Sequence, residues 1–178
     1  MNTWKGRVLA GAMTALAGVG SVNVALAQES TNRVATKTDW SVFTEASPKE
    51  CWGVSSPKQT VNSRDGQPVD ARRGDILLFV TFRPGSGASG EISFTGGYPF
   101  APGSTVSVAI DGTSFEMITD GEWAWPSSTG DDGAMLAAMK RGSTAVLTAR
   151  SSRGTQTKDT FSLAGFTAAM TDAEARCK

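Results

Sequence analysis

The sequence predicts an all-β domain, a β-sandwich or flattened barrel of about nine strands, with a short helix near residues 131–141 and a C-terminal helix near 165–177. Three observations carry this expectation. Short runs of strand-forming residues recur along the chain between clusters of Gly, Pro, Asn and Asp. Val106-Ser107-Val108-Ala109-Ile110 alternates apolar with small polar residues up to Asp111-Gly112, and Thr113-Ser114-Phe115-Glu116-Met117 resumes the alternation beyond it. Ile76–Phe82 (ILLFVTF) is a continuous apolar run of strand length between turn residues, as expected of a central strand covered on both faces.

Residues 1–27 carry the three-part pattern of a cleaved secretory signal. Lys5 and Arg7 precede an apolar stretch, Val8–Val19, and Ala25-Leu26-Ala27 precedes polar Gln28, so cleavage is expected between Ala27 and Gln28. The apolar stretch is shorter than the roughly 20 residues of a spanning helix. No stable membrane anchor is expected, and the signal implies a periplasmic or secreted protein. Residues 28–38 are polar and without periodicity and read as a flexible leader. A single β domain is expected over 39–178.

Within that domain Asp39–Phe43 and Glu50–Ser56 are the first two strands. Pro57–Asp75, polar and containing Asp65-Gly66 and Pro68, reads as a long loop or a loop with a short hairpin. Ile76–Phe82 and Glu91–Gly97 are strands separated by a Gly-rich turn. Gly96–Gly103 (GGYPFAPG) is turn chemistry whose aromatics pack over an edge of the core. Asp111-Gly112 suits a two-residue type I′ turn. That turn sets Ile110 opposite Thr113, Val108 opposite Phe115 and Val106 opposite Met117, all on one face. The next strand, in GEWAWP, places Trp123 and Trp125 on one face. The first helix has Asp131 or Asp132 as N-cap, Met135, Leu136 and Met139 on one side, and Gly142 as its stop. Two strands joined at Arg153-Gly154 follow. The last helix then aligns Phe166, Ala169, Met170, Ala173 and Cys177 on one stripe.

Composition narrows the chemistry. The chain has no histidine, which excludes nucleophile–histidine catalysis and leaves two cysteines as a poor zinc set. No metal or other cofactor is expected. Of 17 basic and 17 acidic residues, the signal segment holds two basic ones, so the remainder carries a net charge of −2 and no basic excess for nucleic acid. Cys51 and Cys177, an even pair in an exported chain, are expected to form a disulfide. Lys140 and Lys158 read as solvated, Asp131-Asp132 as helix capping, and Asp65 and Asp70 as surface ion-pair partners of Arg64, Arg72 and Arg73. Arg73-Gly74-Asp75 spells an adhesion tripeptide but also makes the turn into ILLFVTF. Trp123, Trp125, Tyr98 and Phe100 are the candidate binding residues, an aromatic surface for a protein partner or a glycan. Pro126 and Pro99 beside them cannot donate to a ladder and belong at strand ends or sheet edges.

Taken together, CWGVSSPK, SRDG, LLFVTFRP, GGYPFAPGSTVSVAIDG and Met135–Met170 (MLAAMKRGSTAVLTARSSRGTQTKDTFSLAGFTAAM) resemble the invasion-associated locus B family, in the same order, over roughly Asp39–Lys178. The resemblance implies a secreted or periplasmic protein of all-β fold and brings no catalytic residue with it. A departure from the family pattern is WSVFTEA, which lacks the cysteine some members carry there. The expected function is therefore that of a non-catalytic envelope or secreted protein, not an enzyme, acting in host-cell or envelope interactions through an unknown protein partner. The alternative is a carboxylate-dependent hydrolase or a glycan-binding protein acting on envelope polymers.

Overall fold

The computed structural model describes residues 32–178. The signal segment and its cleavage site at Ala27 and Gln28 lie outside the described residues. The strands are β1 (Arg33–Lys37), β2 (Trp40–Ala46), β3 (Lys49–Ser55), β4 (Gln59–Arg64), β5 (Gln67–Pro68), β6 (Leu77–Arg83), β7 (Ala88–Thr95), β8 (Thr105–Ile110), β9 (Thr113–Asp120), β10 (Trp123–Pro126), β11 (Thr144–Arg150) and β12 (Gln156–Ser162). The helices are α1 (Thr129–Arg141) and α2 (Phe166–Arg176).

All twelve strands join one sheet in the order β1-β2-β3-β6-β7-β10-β9-β8-β11-β12-β4-β5. The sheet returns on itself because β3 and β4 are nearly one strand, parted only by residues 56–58. The first half pairs with β6 and the second half with β12, and Lys58 N–H donates to Thr160 C=O across the bend. This is the flattened-barrel form of the expected all-β fold. Its inner side collects every second residue: Cys51 and Gly53 of β3, Leu78, Val80 and Phe82 of β6, Ile92 and Phe94 of β7, and Val106, Val108 and Ile110 of β8. Phe94 meets Phe161 of β12 edge to face across the interior, with centroids 6.1 Å apart.

Both helices pack on this inner side. Phe166 of α2 sits edge-on to Trp40 at 4.8 Å, and Met170 lies against Gly53. Cys177, just past α2, is bonded to Cys51 across a sequence separation of 126 residues. The Trp40 indole N–H donates to Ser162 C=O, which fastens β2 to the end of β12. Gly165 precedes α2 at φ 86°, where any Cβ would fall on the Lys37 carbonyl, so this helix start tolerates only glycine.

Three expectations are corrected. Among the described residues there are twelve strands where about nine were expected; β1 is an addition, and β4 and β5 are the short hairpin allowed at Asp65-Gly66. Residues 33–37 of the supposed flexible leader form β1, held by the backbone of β2. Their polar sequence gave no alternation because most of the strand is exposed. The N-cap of α1 is Ser128, whose hydroxyl accepts the Asp131 N–H. Asp131 instead accepts the hydroxyls of Ser127 and Ser128, which hold its carboxyl below the ordinary range. Asp132 reaches across to accept the Ile92 N–H of β7 at 2.8 Å, and burial nonetheless holds its carboxyl above the ordinary range.

The β8–β9 hairpin has the expected register, with Ile110 opposite Thr113, Val108 opposite Phe115 and Val106 opposite Met117. Asp111 and Gly112 both adopt positive φ, 44° and 92°. Replacing Gly112 with valine, a β-branched residue that resists this conformation, should destabilise the protein by about 1–3 kcal/mol. A denaturant midpoint identical to that of the unmodified protein would contradict this.

Candidate functional site

The outward faces of β2, β3, β6, β7 and β10 form an open groove of about 1370 Å³. Strands alternate their side chains, so the residues between the core positions arrive here together. Phe43 pairs across β2–β3 with Trp52, and Trp52 with Thr81 of β6. One row further along, Val54 faces Phe79. Beyond that, Leu77 faces Thr95, and Thr95 faces Trp123. The Phe43 and Trp52 rings stack at 5.6 Å and 6°, and Trp123 tilts over Phe79 at 5.8 Å. Five neighbouring strands make the floor about 19 Å wide at the usual inter-strand spacing. Trp123 is 45% exposed, and so is Ile118, which continues the apolar strip onto β9 opposite Trp125.

Charges frame this strip. Arg83 Nε donates to Glu50 at 2.7 Å and Nη1 to Glu91 at 3.2 Å. Partial burial pulls the guanidinium pKa down, but the hydrogen bonds to Glu91 and Glu50 outweigh it and hold it above its ordinary value. Both carboxylates are thus engaged by one cation and are not arranged as an acid–base pair. Arg33 and Asp75 also line the groove, and neither takes part in an ion pair among the described residues.

Of the four aromatic residues singled out from the sequence, Trp123 and Trp125 lie in this groove. Tyr98 and Phe100 do not join them. Phe100 is 5% exposed and belongs to the core, where it packs against Phe94. Tyr98 lies on Phe100 and over the Arg73 guanidinium, with its hydroxyl bonded to Thr157. Backbone bonds from Phe100 to Gly121 and from Ala101 to Arg150 hold their turn against the core, as expected of its packing, and this takes both rings out of the groove. Phe43, Trp52 and Phe79 were missed as site residues. Only Phe79 had a local signal: ILLFVTF is apolar on both faces because one face meets the core and the other floors the groove.

The adhesion tripeptide is ruled out by geometry. The Arg73 side chain is 6% exposed and its guanidinium grips Asp159 of β12, with Nη1 at 2.7 Å from Oδ1 and Nη2 at 2.5 Å from Oδ2. The loop acids expected to pair with Arg73 do not: neither Asp65 nor Asp70 is in an ion pair among the described residues.

A family model described as invasion associated locus B (IalB) protein matches residues 40–174. The chain belongs to the invasion-associated locus B family. Among solved structures, the crystal structure of invasion associated protein B from Bartonella henselae is similar at 15% identity and a TM-score of 0.52. The match covers 79% of this chain and 95% of that one. At this identity the likeness supports the fold alone, and the fold it supports for this IalB-family chain is the all-β one described above. No curated protein matches the chain. Among the described residues no helix is long and apolar enough to cross a membrane.

Proposed function

We propose that this IalB-family protein is an exported, non-catalytic envelope or secreted protein that binds a protein partner on the groove floored by Trp52, Phe79, Trp123 and Trp125. The single observation that carries this reading is two aromatic pairs, Phe43–Trp52 and Phe79–Trp123, lining one open groove with Trp125, Trp123 being exposed and the others half-buried. Half-buried aromatics in an open groove rimmed by charge are a form that interaction faces take. Its organisation, with aromatics at the centre and Arg33, Asp75 and the Glu50–Arg83–Glu91 cluster at the rim, matches the apolar core and polar rim of protein–protein interfaces. The partner that fits presents an apolar ridge flanked by one acidic and one basic group, to meet Arg33 and Asp75. The signal pattern of residues 1–27 and the disulfide support a periplasmic or secreted location, since such bonds persist in oxidising compartments.

The test places a photo-crosslinking residue at Trp123 in intact cells and compares it with the same probe at the exposed Lys158 on β12. A discrete adduct is expected from position 123 only. Trp125→Ala should abolish that adduct, with binding of the identified partner weakened about 10- to 100-fold, as for a central aromatic anchor, while the melting temperature changes little. Equal adducts from both positions, or an adduct indifferent to Trp125→Ala, would overturn the reading. Binding of a purified envelope polysaccharide that is lost in Trp125→Ala, with no protein adduct, would assign the groove to glycan.

A further inference from the structure

A second site lies away from the groove and shares no residue with it. A cleft of about 270 Å³ opens between the β11–β12 turn, the β9–β10 turn and the segment after β7. Arg72 and Arg153 line it together with Ser151, Ser152 and Thr155, and Glu122 is its one acidic residue. Arg64 reaches the same place from β4, where Nη2 donates to Thr155 Oγ1 at 2.9 Å. None of these three arginines has a carboxylate partner among the described residues. The two lining guanidinium groups against one carboxylate leave a net positive charge in the cleft, and Arg64 adds a third cation at its Thr155 wall. Residues 28–178 as a whole, with 15 basic and 17 acidic residues, are slightly acidic. Positive charge is therefore gathered here against the trend of the chain.

The walls are built to donate. Ser151 and Thr155 are 7% and 6% exposed. The Ser151 hydroxyl oxygen accepts the Thr155 N–H, and the Thr155 hydroxyl oxygen accepts from Arg64, so each is used as an acceptor. Neither hydroxyl has a protein acceptor for its own hydrogen among the described residues. A buried hydroxyl with an unused donor calls for an acceptor. The neighbouring Arg73 does not compete for a ligand, because Asp159 already neutralises it. Arg73 and Tyr98 instead stiffen the base of the cleft, the guanidinium lying 5.0 Å from the ring centroid.

We propose that this cleft binds a tetrahedral oxyanion of the phosphate-ester class. Arginine forks match the paired oxygens of such a group, and hydroxyl donors complete its shell. The volume admits a phosphate with a small remainder and is below the range of drug-sized pockets. The anion can come from a free phosphorylated compound or from a lipid headgroup, and the chemistry that recognises it is the same.

The full chain without its signal segment is titrated by calorimetry with inorganic phosphate, pyrophosphate and glycerol 3-phosphate, and separately with vesicles of neutral lipid containing phosphatidic acid. Saturable one-to-one binding to at least one probe is expected, weakening as sodium chloride rises. Arg153→Ala and Arg72→Ala, both at exposed positions, should each weaken it at least tenfold, and Arg141→Ala, outside the cleft, should leave it unchanged. Glu122→Gln should tighten it several-fold by removing the one repelling charge. Saturation by the soluble esters assigns a free ligand, and saturation by the vesicles alone assigns a headgroup. The proposal is overturned if no probe saturates by about 10 mM, or if Arg153→Ala and Arg72→Ala bind as the unmodified protein does.

Discussion

Cys51→Ser should lower stability by about 5 kcal/mol, the loop-closure contribution of a bond spanning some 126 residues in the chain-entropy account of disulfides. That is comparable to the whole stability of many single domains. The bond ties β3, in the middle of the inner wall, to the end of α2, the helix that covers Trp40 and Gly53. Breaking it therefore loosens the helix as well as lengthening the unfolded chain. Denaturant midpoints of Cys51→Ser, Cys177→Ser and the double variant should coincide, all far below that of the oxidised protein. A single variant that keeps the parental midpoint would refute the contribution.

Asp159→Ala should cost about 3–5 kcal/mol, because it strands a buried guanidinium without its counter-charge. Asp159 is fully buried, and Arg73 holds it with two hydrogen bonds while also donating to Gly96 C=O at 2.8 Å and to Asn62 Oδ1 at 3.4 Å. One side chain thus joins the segment before β6 to β12, β4 and the end of β7. Removing both charges together, as Arg73→Met with Asp159→Leu, should be far less harmful than removing Asp159 alone, since no unpaired ion remains. A double-mutant cycle on unfolding free energies measures the difference. Equal losses from Asp159→Ala and from the double variant would show that the pair is not what holds this seam.

What could be read from the sequence depended on how local its cause was. The β8–β9 register followed from Asp111-Gly112 alone, because a two-residue turn with positive φ at both positions leaves one pairing. The stripe from Phe166 to Cys177 was legible from helical spacing, and all five of its residues are buried. β4 was not legible. Its residues are mostly polar and exposed, and it is a strand because β12, about a hundred positions away, offers it a ladder. The groove was half legible: Trp123 and Trp125 alternate on one strand, but Phe43, Trp52 and Phe79 join them only through strand order, which no local pattern encodes. For Tyr98 and Phe100 the core-packing reading of their turn held, and a place beside Trp123 and Trp125 did not, because nothing local to a proline-flanked aromatic says which side of the sheet its turn meets.

The near-continuity of β3 and β4 also bears on how this protein behaves when concentrated. A rolled sheet whose seam is stitched by one bent strand has few free margins at which a second molecule can add its own backbone. Two remain among the described residues. The margin at β5 is two residues long and includes Pro68, which has no N–H to offer, and beside it Gln59–Val61 of β4 are laddered only to β12. The margin at β1 carries Arg33 and Lys37 at its two ends, the latter paired with Asp172 of α2, so two copies brought together there meet like charge chiefly at Arg33. A protein that leaves aromatic rings in solvent is at risk of self-association, and this margin design weights that risk toward side-chain contact. It leaves copies short lengths of backbone on which to extend the sheet.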